Sequence, residues 1–141
     1  MPTRLARALA LVLLSLLVAG ACRNPEDPDP LVGTYFATTF TMSTPGQAAV
    51  NVLSAGGSVG LNVANNYVVT GTMIIPASVN GGATRIVSMN GMLDTAGTGI
   101  HFVQAADSFV RDLTFTLVEN RLEAVNQTVD GTTYELILTR Q

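Results

Sequence analysis

The chain has no tryptophan and no lysine, one histidine and one cysteine, and only 12% of its 141 residues are charged. Each scarcity excludes something. A lone cysteine, Cys22, leaves no internal disulfide. With one histidine and no second cysteine there is no zinc-ligand spacing. His101 lies between Ile100 and Phe102, so alternation turns it away from the apolar side, as a solvated structural histidine would be. Seven arginines against ten acids give a formal net charge of −3. No basic stripe stands ready to displace counterions from nucleic acid or to hold an anionic bilayer. Without tryptophan, the two aromatic girdles of a membrane-spanning barrel are not expected. No serine has the G-x-S-x-G setting, and the glycines around Gly56 to Gly60 come with no phosphate-loop lysine. No acid, base and nucleophile fall together, so neither an enzyme nor a cofactor is expected.

What is present begins with an address. Arg4 and Arg7 precede an apolar run from Ala8 to Val18, followed by small residues from Ala19 to Ala21. That pattern is a secretory signal over residues 1–21, too short to span a bilayer. Residues 22–30 follow, with three prolines and three acids after Cys22, which predicts an extended tether. Beyond the signal, five arginines face ten acids, and residues 31–141 suffice for one domain with one core.

That domain is rich in Val, Thr, Ile, Phe and Tyr, with glycine throughout, and no helix is demanded. Phe109, Leu113, Phe115 and Leu117 recur on one face of a predicted strand; Leu122, Ala124 and Asn126 do so on the next, and Tyr134, Leu136 and Leu138 on a third. A two-residue turn at Glu119-Asn120 pairs Leu117 with Leu122. A three-residue loop, Val129 to Gly131, pairs Ala124 with Leu136 and Leu122 with Leu138. The strand from Thr98 to Gln104, joined by a loop over Ala105 to Ser108, sets Phe102 opposite Arg111. Upstream strands are expected over Leu31 to Met42, Ala48 to Leu53, Ser58 to Val63, Tyr67 to Pro76 and Arg85 to Leu93. Eight or nine short antiparallel strands read as an up-and-down β-barrel, with a β-sandwich as the alternative.

Two resemblances add to this. Ala19-Gly20-Ala21-Cys22 resembles the lipobox of bacterial lipoproteins, which implies an acylated Cys22, a membrane anchor and a place in the cell envelope, at the outer membrane. Gly33-Thr34-Tyr35 resembles the G-x-W opening of lipocalins and related calycins, which implies that Arg140 packs on the Tyr35 ring. The layout as a whole resembles small bacterial lipocalin-like lipoproteins.

Two functions follow. In one, a lipid-anchored barrel holds a small apolar or amphipathic ligand, lined by Tyr35, Met73, Phe102, Arg111, Phe115 and Tyr134 in a cavity of at least about 300 Å³. Arg111 breaks the apolar face and would either orient an anionic head group or rest at a barrel end with its guanidinium in water. In the other, the core is solid and the outside contacts an envelope component.

Overall fold

The computed structural model describes residues 29–96, 99–103 and 108–141; the expected signal over residues 1–21, Cys22, the expected tether up to residue 28 and most of the expected loop over Ala105 to Ser108 lie outside the described residues. The strands are β1 (Gly33–Ser43), β2 (Val50–Asn51), β3 (Ser58–Val63), β4 (Val68–Ile75), β5 (Arg85–Ser88), β6 (Gly91–Asp94), β7 (His101–Phe102), β8 (Thr116–Val118), β9 (Arg121–Val129) and β10 (Thr132–Arg140). Among the described residues two short helices interrupt them, α1 (Ala77–Asn80) and α2 (Ser108–Asp112).

Eight of the strands close an antiparallel barrel in the order β1-β3-β4-β6-β7-β8-β9-β10, with β10 paired back onto β1. The seam between β7 and β8 is closed by a bridge in which the amides of Ile100 and Phe115 donate to each other's carbonyls at 2.8 Å. The remaining two strands extend existing staves. β2 lies with β3 along β1, and β5 lies with β6 along β4. The barrel, not the sandwich, is the fold.

The expected strand from Arg85 to Leu93 divides because Met89 and Asn90 leave the ladder. The Met89 amide donates to the Gly71 carbonyl at 3.0 Å, and the Asn90 side chain accepts from the Gly71 amide at 3.0 Å. On its other side Gly71 lies tight against β3, where a Cβ would stand 2.4 Å from the Gly60 carbonyl oxygen.

Alternation fills the interior, and bulges correct it where it would fail. On β1, Ala37 faces Leu138 while Thr39 faces Ile137, so Thr38 is an extra residue. The slip lets Tyr35 and Phe40, an odd and an even position, both turn inward. Tyr35, Phe40, Met73, Phe102, Phe115, Leu136 and Leu138 are all 0% exposed. The Phe102 and Phe115 rings meet edge-on, with centroids 5.4 Å apart. Burying each such side chain contributes about 1.5–3 kcal/mol before the entropy of ordering it is counted.

The C-terminal hairpins carry one expectation forward and correct another. Leu117 does face Leu122 across the Glu119-Asn120 turn. Leu136 faces Ala124 and Leu138 faces Leu122, yet no three-residue loop produces this register. Val129 pairs with Thr132, leaving a two-residue turn in which Asp130 and Gly131 have φ of 49° and 77°. Positive φ at both central residues is the twist-matched hairpin turn that Asp-Gly favours. The extra residue sits instead within β9, where Val125 and Asn126 together oppose Glu135 and Asn126 has φ 54°. Asn126 is therefore exposed rather than on the face of Leu122 and Ala124.

The expectation of an unbroken strand through Phe109 is also corrected. Phe109 and Leu113 are buried as alternation required, but Val110 is buried too, and the backbone is helical over α2. A spacing of four suits a helical turn as well as it suits a strand. The segment thereby plugs one end of the barrel, with the Phe109 ring stacked on Tyr134 at 5.1 Å.

Candidate functional site

The most heavily bonded polar cluster lies at the opposite end, where residues 29–32 form a strap across the barrel rim. This rim carries the start of β1, the β3–β4 and β8–β9 turns and the end of β10. Asp29 folds the strap on itself: its carboxylate accepts from the Leu31 amide at 2.9 Å and its carbonyl from the Val32 amide at 3.1 Å. Three side chains then pin it. Tyr35 donates its hydroxyl to the Leu31 carbonyl at 2.9 Å, with the Pro30 carbonyl at 3.2 Å. Arg140 donates through Nη1 to the Pro30 carbonyl at 3.0 Å and lies 3.4 Å from that of Val32. Tyr67 donates to the second carboxylate oxygen of Asp29 at 2.5 Å.

Local backbone features make these contacts. Tyr35 and Arg140 are direct cross-strand partners. Gly33 lets the Arg140 stem cross the first strand, since a Cβ there would come within 2.8 Å of Arg140 Cδ. Tyr67 has φ 61°, a left-handed conformation uncommon for an aromatic residue, held where its hydroxyl reaches Asp29. The Tyr35 hydroxyl has its pKa raised above the ordinary 10.0, chiefly by burial; Arg140 lowers it and Asp29 raises it further. The resemblance of Gly33-Thr34-Tyr35 to the lipocalin opening brought Tyr35 and Arg140 together, but Tyr67 and Asp29 carried no signal, one heading a predicted strand and the other in a proline-rich stretch.

The residues expected to line a ligand site fall in two groups. Tyr35, Met73, Phe102 and Phe115 are wholly buried, and Tyr134 is buried against Phe109, all within the packed core. Arg111 lies on α2 rather than opposite Phe102 on a strand, and it is exposed. His101 is half-buried on β7 opposite Asp94.

A cavity of about 60 Å³ lies at the far end, bordered by Met42, Thr44, Gln47, Val50, Val79 and Thr132. Its walls are neutral hydroxyl, amide and aliphatic groups, and its volume is that of a few waters rather than of a drug-sized ligand. Where β8 bends into α2, Gln127 replaces ladder partners: its Oε1 accepts from the Thr114 amide at 2.7 Å and its Nε2 donates to the Thr114 carbonyl. Among the described residues no cluster of three or more metal-ligating side chains occurs, and no helix is long and apolar enough to cross a membrane.

The closed antiparallel barrel is compatible with a calycin-like fold. In comparisons with known proteins, no family model, no curated protein and no solved structure matches this chain.

Proposed function

We propose that this protein is an exported lipoprotein of the bacterial envelope that works through its outer surface, as a structural or protein-interaction module, and that its barrel holds no ligand. The observation that carries the choice is the state of the interior. A cavity of ligand size needs about 300 Å³, and side chains lining it would present surface to it. Tyr35, Met73, Phe102 and Phe115, the residues best placed to line one, are 0% exposed. The anchoring half of the proposal rests on the signal pattern, on Cys22 after three small residues, and on the acidic proline-rich tether. Kinship with lipocalin-like lipoproteins is part of the same proposal, supported by the cross-strand pairing of Tyr35 on the first strand with Arg140 on the last.

Native and intact-mass spectrometry of the protein purified from its own host membranes tests both halves. The expected species begins at an acylated Cys22 and carries no small molecule. A retained small molecule would restore the ligand-carrying reading, and an unacylated chain starting at residue 22 would remove the anchor.

A further inference from the structure

We propose that the pinned strap orients the barrel on the bilayer, setting the strap rim against the lipid surface so that Phe36, Val68, Met92 and Val118 rest in the headgroup region. This rests on the anchored reading above and adds which face of the molecule meets lipid.

The first argument is reach. Six residues lie between Cys22 and Asp29, and the seven residue steps from one to the other span at most about 25 Å. A freely jointed leash of that length would let a small barrel present any side. Here the leash joins a strap fixed to β1 by Tyr35, to β10 by Arg140 and to the β3–β4 turn by Tyr67. The chain can therefore leave the barrel only from this rim, and its short reach keeps the rim that holds the strap nearer the membrane than the opposite end.

The second argument is what that rim displays. Val68, the first residue of β4, stands opposite Met92 on β6, and both side chains are nearly two-fifths exposed. Val118, the last residue of β8, shares an outward row with Arg121, Thr139 and Phe36, and Phe36 is 50% exposed. The Phe36 ring lies over Gly60, so it presents an edge without losing its support. Isolated exposed apolar residues are ordinary, and Ile86 at the other end is 71% exposed. The tether is what separates the two ends. With ten acids facing five arginines beyond the signal, the surface this face suits is a zwitterionic one.

The absence of native tryptophan makes the test direct. Single reporters Phe36→Trp, Val68→Trp and Ile86→Trp are placed in the acylated protein, reconstituted into phosphatidylcholine–phosphatidylethanolamine vesicles containing brominated lipid. Ile86 pairs with Ile74, six residues along β4 from Val68, or about 20 Å away. Groups resting about 5–10 Å into the interface should be quenched about twofold or more relative to Ile86→Trp. Adding Tyr67→Phe with Arg140→Gln should erase that difference while the circular dichroism stays that of a β-barrel. Equal quenching at the three sites, none at any, or a difference that survives the double substitution would overturn the proposal. Coupling a maleimide lipid to Cys22, the only cysteine, repeats the experiment without natural acylation. A failure of the anchored reading is thereby told apart from a failure of the orientation.

Discussion

Single side chains here have measurable signatures, and Tyr35 has the clearest. Burial keeps its proton on in the folded state at a pH where the unfolded chain has already released it. Its contribution is therefore intact below about pH 10 and is lost as pH rises through and beyond that value. Thermal melts from pH 8 to 11.5 should fall more steeply for the wild type than for Tyr35→Phe. At neutral pH that variant should be less stable by about 1 kcal/mol, since the Leu31 carbonyl loses its donor. Glu119 is the opposite case. It opens the β8–β9 turn at φ 57°, where a side chain is penalised and glycine is not. Glu119→Gly should raise stability by about 0.5–1 kcal/mol, read as a melting temperature higher by about 3–5 °C. The conformation at Glu119 could not be read from residue types, because nothing in Glu-Asn announces positive φ as Asp-Gly does.

Among the elements, β9 shows what alternation conveys and what it hides. The Leu122–Leu138 and Ala124–Leu136 pairs were legible because apolar faces must meet. Where the odd residue was stored was not legible: a longer loop and an internal bulge give the same downstream register, and only backbone geometry separates them. The bulge has a use. By exposing Val125 and Asn126 together it brings Gln127 round to Thr114, where one amide satisfies both a backbone donor and an acceptor. Gln127→Ala should cost about 1–3 kcal/mol in chemical denaturation, as expected for partly buried groups left unpaired. It should also speed hydrogen exchange at Thr114 before the rest of the barrel responds. Helix α2 escaped sequence reasoning for a related reason. Phe109 and Leu113 satisfy both periods, and Val110, the residue that decides between them, reads as ordinary β-rich composition.

For the whole molecule, the sequence made the barrel accessible through hairpin arithmetic but left its interior undecided. Side-chain types that line a pocket and those that fill a core are the same; volume separates them, and volume is a property of the assembled sheet. The rim cluster was half legible for the same reason. The pairing of Tyr35 with Arg140 was implied by the resemblance of Gly33-Thr34-Tyr35 to the lipocalin opening, whereas Asp29 and Tyr67 meet only once the strap and the β3–β4 turn share one end. That shared end also receives the other terminus, since the Gln141 amide donates to the Thr34 carbonyl at 2.9 Å. A fluorescent or affinity tag appended after Gln141 would accordingly crowd the rim that carries residues 29–32. Inserting it between Asp130 and Gly131, at the far pole, would leave that rim clear.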